Sequence, residues 1–138
     1  MEKVLIDTDV LLDFFFDRLP FSDYAAQVLD LCEQKTIQGF ATPVIVSNVY
    51  YILRKTAKRD FVIDKLNQLL NIIDVAAMNR IVVLKALNSN FKDFEDALQY
   101  FSAVEQSGIQ LILTRNVKDY KHSELAVLTP EAFLKSKE

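Results

Sequence analysis

The stretch that decides the fold is KVLIDTDVLLDFFF, residues 3–16. Its apolar beginning, residues 3–6, predicts a short buried strand, and residues 10–16 predict a short helix that ends before Pro20. Asp7 stands between the two, at the end of the predicted strand. This order of strand, acid and helix predicts an α/β fold whose polar chemistry lies where the strands end.

The rest of the chain alternates between short apolar runs and longer amphipathic segments. Further strands are predicted at residues 39–41, 74–76, 109–113 and 127–128. One helix is predicted to begin at a Ser22 cap, and a second to begin at Thr42-Pro43 and run toward Lys58. Two further helices are predicted over residues 61–73 and 78–87. The last two are predicted to run from Asp93 to an end at Gly108 and to begin at Pro130. The alternation predicts a three-layer α/β/α fold with a central parallel sheet of four to five short strands.

Length and composition favour one domain over residues 1–138. The chain has 138 residues, two glycines and three prolines, and no stretch has the composition of a linker. Its one cysteine excludes an internal disulfide and a cysteine-based zinc cluster. Asp7 and Asp9 interrupt the first apolar run, which argues against a signal peptide, and no apolar run is long enough to span a bilayer. We therefore expect a cytoplasmic protein without a membrane contact.

The net charge of −3 is unusual for a protein that binds nucleic acid through its overall charge. On charge alone the sequence favours a protein that does not bind nucleic acid. RNA binding would have to come from local basic groups or from metal ions that neutralise an acidic site. The candidate basic groups are Arg18, Arg54, Lys55, Lys58, Arg59, Arg115, Lys118 and Lys121. Such charges more often form a solvated face, and basic residues also favour helix C-termini.

Four aspartates from distant segments are predicted to meet at one edge of the sheet. Asp7 ends the first strand, Asp93 and Asp96 begin the helix before the strand at 109–113, and Asp119 lies just beyond that strand. Carboxylate oxygens are hard ligands that suit Mg²⁺ or Mn²⁺. Such an ion would remove the repulsion between the acids, activate water and stabilise charge on a phosphate.

Each acid also has a simpler explanation. Asp93 and Asp96 can be an N-cap and an acid in the first turn of a helix. Asp9 can cap the helix that follows it, and Asp119 can be an exposed loop acid. A D-x-D sequence at a strand end, Asp7 and Asp9 here, is also typical of phosphatases that use an aspartate nucleophile, although the further motifs of that class are not found in order.

Taken in order, four stretches resemble the PIN-domain family and, within it, toxins of the VapC type. They are LIDTDVLLD at 5–13, DFEDAL at 93–98, LTRNVKDY at 113–120 and VLTPEAFL at 127–134. Asp9 stands where Asn or Ser is more usual in the family. The resemblance covers nearly the whole chain.

The resemblance implies a metal-dependent endoribonuclease. Asp7, Asp96 and Asp119 would hold the metal, with Asp93 direct or through water. Thr114 and Asn116 would hydrogen-bond a ligand carboxylate or the scissile phosphate, although strand-end and turn chemistry explains them equally well. Independently of the resemblance, Arg115 flanks the proposed site and could contact the RNA backbone. Many small members of the family are toxins of bacterial toxin–antitoxin pairs, which implies a small antitoxin partner and a homodimer.

One departure from the family affects the metal site. Many members carry an acid early in the helix after the second strand, where this chain has Asn48. An amide oxygen ligates a cation without adding charge, so a second metal ion should bind more weakly. The alternative hypothesis is therefore a catalytically degenerate module that binds RNA or protein, and a phosphatase built on Asp7 and Asp9 is a third.

Overall fold

Five parallel strands form one central sheet. The computed structural model describes residues 1–106 and 108–138. Its strands are β1 (Glu2–Ile6), β2 (Ile37–Ala41), β3 (Asp74–Val75), β4 (Ile109–Leu113) and β5 (Ala126–Leu128). Their order in the sheet is β3-β2-β1-β4-β5, and every neighbouring pair is parallel. The predicted sheet and the three-layer α/β/α architecture are confirmed.

Within the described residues, seven helices flank the sheet. They are α1 (Thr8–Phe15), α2 (Phe21–Glu33), α3 (Pro43–Arg54), α4 (Arg59–Leu70), α5 (Arg80–Leu87), α6 (Phe94–Glu105) and α7 (Pro130–Lys135). Helix α2 packs against α1 and α7, while α6 packs against α5 and α3. No helix in the described part of the chain is both long enough and apolar enough to cross a membrane.

The core lies between the sheet and its helices. The middle strands are apolar on both faces because helices cover both sides, as expected of a parallel sheet. The largest side chains with less than 2% exposure come from strands β1 and β4 and from the helices around them: Leu5, Ile6, Leu11, Ile45, Ile112, Leu113 and Phe133. The strands whose ends carry the polar groups are therefore fixed by close packing in the core.

Two predicted helix starts are confirmed by their caps. The Thr42 hydroxyl accepts from the Ile45 amide at 3.1 Å, and Thr129 accepts from Ala132 at 3.1 Å. Each is followed by a proline, Pro43 or Pro130, at the start of its helix, where a missing N–H costs nothing. These threonine–proline pairs begin helices directly after β2 and β5.

Several predicted boundaries were wrong. Ser22 does not cap α2, which begins one residue earlier, and its side chain is buried. Helix α3 ends at Arg54 rather than near Lys58, and α5 begins after an Asn79 cap instead of at residue 78. Helix α6 ends at Glu105 instead of near Gly108, and Ser107 lies outside the described residues. The sequence analysis also missed a 3₁₀ turn, Val117–Tyr120, which follows β4.

Candidate metal site at the strand ends

The reversal of strand order lies between β1 and β4. The chain moves from β1 outward to β2 and β3, then returns to the other side of β1 with β4 and β5. Asp7 follows β1 and Thr114 follows β4, and the Asp7 amide donates to the Leu113 carbonyl at 3.0 Å. The two strand ends are thus joined side by side, at the place where α/β folds form their sites.

Asp7 is fixed by bonds to both carboxylate oxygens. It occupies the N-cap position of α1, where its Oδ1 accepts from the Thr8 amide at 2.8 Å. Its Oδ2 accepts from the Tyr120 hydroxyl at 3.1 Å. The alternative in which Asp9 caps α1 is wrong, because Asp7 holds that position. Asp7 therefore has a defined orientation even without a bound ion.

Three of the four predicted acids line one cleft. Asp93 caps α6 by accepting from the Asp96 amide at 3.0 Å, so the capping explanation of Asp93 is correct. Asp96 is half-buried in the first turn of α6, and Asp119 lies in the 3₁₀ turn. The cleft measures about 290 Å³ and also has basic walls formed by Lys92, Lys118, Lys121 and His122.

The charges of the acids act on one another. Burial, followed by the charges of Asp93, Asp7 and Asp119, raises the pKa of Asp96 to about 7. Burial, followed by the charge of Asp9, raises the pKa of Asp7 to about 6. All four predicted acids thus lie in one electrostatic field. Each of these carboxylates therefore disfavours the charged form of its neighbours.

The donor chemistry fits a hard divalent cation, although the ligands are not assembled around a point. Within residues 1–106 and 108–138, no three histidine, cysteine, aspartate or glutamate side chains are arranged so that they could hold a metal ion. Like charges that repel one another are expected to lie apart in the absence of a cation. The raised pKa values of Asp7 and Asp96 mark the charge that such a cation would relieve.

Asp9 organises the loop that follows β4. Its Oδ2 accepts from the Thr114 hydroxyl at 3.3 Å, the Arg115 amide at 2.9 Å and the Asn116 side-chain amide at 3.3 Å. Its Oδ1 is buried and has no hydrogen-bond partner among the described residues. Thr114 and Asn116 thus bond the carboxylate of Asp9, which is outside the predicted ligand set. Their contact with a metal ligand or with the scissile phosphate stays a prediction. Through this loop Asp9 supports the turn that carries Asp119.

Asp13 holds the partly exposed side chain of Arg115 against α1. Its Nε and one terminal nitrogen donate to the two carboxylate oxygens of Asp13 at 2.6 and 2.9 Å. Its guanidinium also lies over the ring of Phe21, 4.1 Å from the centroid. The contact of Arg115 with RNA stays a prediction, and the bonds to Asp13 show that the side chain fixes the loop after β4 onto α1.

Asn48 faces an acid on another helix. The residue is half-buried on α3, and its Nδ2 donates to Oε2 of Glu95 on α6 at 3.1 Å. The position where an acid was expected therefore has a carboxylate next to it. Glu95 also contributes to the field that raises the pKa of Asp96.

Sequence reasoning missed four residues at this edge: Asp9 as the anchor of a loop, Asp13, Glu95 and Tyr120. Asp13 follows Asp9 by four residues, which places both on one face of a helix, a signal that was available. Tyr120 directly follows Asp119 in the quoted LTRNVKDY stretch. The bond from Glu95 to Asn48 joins residues 47 apart, and no local pattern could have indicated it.

A comparison with protein families decides the family. The PIN domain family matches residues 3–118. The chain belongs to the PIN-domain family. In addition, this PIN domain is 31% identical over 137 residues to Ribonuclease VapC1 of Aquifex aeolicus, covering 96% of this chain and 93% of that protein.

Solved structures share the fold of this PIN domain at low sequence identity. A toxin–antitoxin complex from Klebsiella pneumoniae superposes with a TM-score of 0.70 at 21% identity, covering 92% of this chain and 97% of the other. VapBC-1 from nontypeable Haemophilus influenzae superposes with a TM-score of 0.69 at 13% identity, covering 94% and 98%. These likenesses confirm the fold predicted for the PIN domain.

Removing the charge of Asp7 should stabilise the metal-free PIN domain. Its pKa lies at about 6 in the folded protein against an ordinary 3.8, so the stability that the neutral form provides is lost as pH rises through about 6. We expect Asp7→Asn to raise the free energy of unfolding in EDTA by about 1–2 kcal/mol at pH 8, less than the full pKa shift implies because solvent screens the site. The gain should shrink toward pH 5.

Urea unfolding at pH 5 and pH 8 measures this effect. Asparagine keeps an acceptor for the Thr8 amide, and the Tyr120 hydroxyl can accept from its amide group. Asp60→Asn is the matched control, because the side chain of Asp60 is 98% exposed. A loss of stability in Asp7→Asn at pH 8 would show that the charge of Asp7 is already neutralised within the protein.

Proposed function

We propose that this PIN domain is a metal-dependent endoribonuclease that hydrolyses RNA phosphodiester bonds and acts as the toxin of a bacterial toxin–antitoxin pair. The observation that carries the proposal is geometric: Asp93, Asp96 and Asp119 line one cleft together with Lys118 and Lys121. Burial and the charges of Asp93, Asp7 and Asp119 raise the pKa of Asp96 to about 7, which agrees with a cluster of acids at this place. It is supported by the relative named Ribonuclease VapC1 and by the toxin–antitoxin complex of the same fold.

The proposed metal ligands are the acids of the strand ends. Asp7, Asp96 and Asp119 would hold Mg²⁺ or Mn²⁺, with Asp93 direct or through water. A bound divalent ion supplies charge that neutralises the carboxylates, lowers the pKa of a water molecule and stabilises a phosphate. Hard oxygen donors suit either ion, and the choice between Mg²⁺ and Mn²⁺ belongs to the proposal.

The chain's own side chains have distinct tasks in this proposal. Lys118 and Lys121, on the wall of the cleft, would pair with the RNA backbone and offset the chain's overall negative charge. Tyr120, whose pKa is raised by burial and by Asp7 and Asp96, keeps its proton and holds the Asp7 carboxylate in place. The hydrogen bond from Thr114 to Asp9 holds the loop that leads to Asp119 close to the end of β1.

The partners in this proposal are an RNA substrate, a small antitoxin protein and a second copy of the chain. The antitoxin is supported by the solved toxin–antitoxin complex and VapBC structure that share this fold. The homodimer and the cytoplasmic location stay predictions. Sedimentation of the purified protein, alone and with the product of a neighbouring small gene, would test both partners.

Titration calorimetry with Mn²⁺ tests the proposed site. The wild-type protein should bind Mn²⁺ stoichiometrically, and Asp96→Asn should lose that binding. The substitution removes the carboxylate that interacts with the charges of Asp93, Asp7 and Asp119. Asp64→Asn, which changes an exposed acid on α4, should bind as the wild type does. Equal binding by wild type and Asp96→Asn would refute a metal site at the strand ends.

The second candidate function is a binding module without catalysis. It is favoured by Asn48 and by the absence, among the described residues, of three acids assembled for a metal. This module would retain affinity for RNA or a partner protein without binding Mn²⁺. A phosphatase built on Asp7 and Asp9 is less well supported. Oδ2 of Asp9 accepts three hydrogen bonds from the loop after β4 and its Oδ1 is buried, so this carboxylate is engaged within the protein.

A further inference from the structure

Basic side chains are concentrated where α3 passes into α4. Residues 54–61 contain four basic side chains and one acid, whereas the whole chain has a net charge of −3. The four are exposed, and we call them the α3–α4 basic turn: Arg54, Lys55, Lys58 and Arg59. The chain thus carries a local positive surface that its overall charge does not reveal.

Acids of the protein neutralise little of this charge. Arg59 pairs with its neighbour Asp60 at 3.6 Å, but both side chains are exposed, so the pair contributes little. Arg54, Lys55 and Lys58 take part in no ion pair with any residue that the structure describes. Their charges therefore remain open to an anionic ligand.

The stability of the helices explains only half of these cations. Arg54 and Lys55 lie at the C-terminal end of α3, where positive charge interacts favourably with the helix dipole. Lys58 and Arg59 instead occupy the N-cap and the first residue of α4, where the same interaction is unfavourable. The placement of the second two therefore calls for a reason outside the helix itself.

The backbone of the turn is already held in shape. Nη1 of Arg54 donates to the Ala57 carbonyl at 3.0 Å, which closes the turn between the two helices. Leu53 on one side of the turn and Val62 on the other are buried in the core. Because both ends are anchored, a ligand that binds the basic side chains does not have to order the backbone first.

An exposed aromatic ring lies on the same side of α3. Tyr51 is 67% exposed, although its ring makes an edge-to-face contact with Tyr50 at 5.0 Å between centroids. Arg54 and Lys55 follow Tyr51 by three and four residues, which makes them its neighbours on the helix surface. Aromatic rings beside cations are the arrangement on which proteins stack the bases of single-stranded RNA and pair its phosphates.

This side of α3 also leads to the acidic cleft. Asn48 precedes Tyr51 by three residues and donates to Glu95, whose neighbour Asp96 lines the cleft. The helix advances by about 10 Å from Asn48 to Lys55. An RNA strand with one phosphate in the cleft would therefore reach the basic turn within a few nucleotides.

We propose that the exposed side of α3 and the α3–α4 basic turn form a surface that binds single-stranded RNA outside the metal cleft. One base stacks on Tyr51, and the cations of the basic turn pair with phosphates of the same strand. The inference rests on the proposed function, because it extends the path of the same RNA. Stacking accepts every base, so the surface adds affinity without selecting a sequence.

Binding of labelled oligouridine in EDTA tests this surface in the absence of cleavage. We expect Arg54→Gln/Lys55→Gln/Lys58→Gln to weaken the binding of an RNA of about 12 nucleotides. The slope of log affinity against log salt concentration should become shallower by about 2, because each lost phosphate contact removes about 0.7. Fluorescence anisotropy at several salt concentrations measures both. The loss should be smaller for an RNA of about four nucleotides, which is too short to occupy the cleft and the turn together.

The matched control removes the same charge from other surfaces. Lys35→Gln/Lys135→Gln/Lys137→Gln changes three exposed lysines that lie outside α3 and α4, and it should bind RNA as the wild type does. An equal loss of affinity in this control would show that total charge sets the affinity, which would overturn the inference. Thermal unfolding verifies that both triple variants are folded.

Exchange of the aromatic ring separates stacking from charge. Tyr51→Ala should weaken RNA binding about tenfold without changing the salt dependence, and Tyr51→Phe should keep the affinity because it keeps the ring. Sedimentation of the same proteins tests the alternative that Tyr51 packs between two copies of the chain. A dimeric wild type together with a monomeric Tyr51→Ala would refute the stacking role.

The results for this surface and for the proposed function are separable. If the wild type cleaves RNA with Mn²⁺ while the Arg54, Lys55 and Lys58 variant binds the longer RNA equally well, only this inference fails. A wild type that binds no oligouridine in EDTA would also overturn it. If the basic turn binds RNA but Asp96→Asn alters neither Mn²⁺ binding nor cleavage, the proposed function fails and the surface belongs to a binding module.

Discussion

RNA cleavage in the presence of Mn²⁺ should fall about a hundredfold or more when Asp96 is replaced by asparagine. Burial and the charges of Asp93, Asp7 and Asp119 all act on this carboxyl group, so it lies at the centre of the acidic field. A catalytic metal lowers the activation free energy by several kcal/mol. Each 1.36 kcal/mol of that lowering corresponds to about a factor of ten in rate. Gel analysis of a defined RNA, with single-turnover kinetics, would measure the loss.

Two comparisons make this result specific. Asp64→Asn changes an exposed acid on α4 and should cleave at the rate of the wild type. In cells, expression of the wild type should arrest growth, and expression of Asp96→Asn should not. Cleavage that survives in Asp96→Asn, at unchanged metal dependence, would exclude the proposed ligand set. Growth arrest without cleavage by either protein would favour the binding module.

Loss of the Asp13 carboxylate should have the largest effect on stability. Asp13 is only 1% exposed, and both of its oxygens bond to Arg115, while Oδ1 also pairs with Arg18 at 3.4 Å. Removing one member of a buried ion pair leaves the other charge uncompensated and costs about 3–5 kcal/mol. We expect Asp13→Ala to lose about 3 kcal/mol, because the side chain of Arg115 is 31% exposed and can regain some water.

Urea unfolding of three variants measures this coupling. Asp30→Ala removes an exposed carboxylate that accepts a hydrogen bond from Gln34, and should change stability little. The double variant Asp13→Leu/Arg115→Met replaces the pair with apolar groups of similar size and should recover much of the loss. If Asp13→Ala is as stable as Asp30→Ala, the pair does not support the loop after β4. If the double variant recovers nothing, the loss has another cause.

The bond between Asp13 and Arg115 also connects stability to the site. Residues 114–116 donate hydrogen bonds to the carboxylate of Asp9. Arg115 also bonds Asp13, which holds the same loop against α1. Loosening the anchor should displace the turn that carries Asp119. Asp13→Ala is therefore expected to weaken Mn²⁺ binding as well, although Asp13 lies outside the ligand set.

Local patterns accounted for the strands and for the acids at their ends. The apolar runs of β1 and β4 are short and bounded by polar residues, so a buried strand is the conformation that satisfies both hydrophobic burial and backbone hydrogen bonding. Alternation with helices then required a parallel sheet, and a parallel sheet places the ends of its strands at one edge. Asp7 and Asp119 were predicted there because they follow strands, and Asp93 and Asp96 because they begin the helix before β4. Asp93, Asp96 and Asp119 do line one cleft.

The boundaries that failed depended on single residues. Ser22 has the chemistry of a cap, but packing buries it within α2, and its helix begins without a side-chain cap. For Asp9 the sequence offered a cap, while the fold uses the carboxylate to hold residues 105 to 107 positions away. One short polar side chain can form either bond, and the neighbours that arrive from other segments select between them.

By itself, the sequence determined the class of fold, the order of its elements and the set of acids at the strand ends, because each follows from local hydrophobic patterns and from the geometry of parallel strands. Only the tertiary structure decided which groups those acids meet: Asp9 with the loop after β4, Asp13 with Arg115, and Glu95 with Asn48. These contacts join segments from 47 to 107 residues apart. Their partners are set by how helices pack over the sheet, and no short-range pattern in the chain encodes that arrangement.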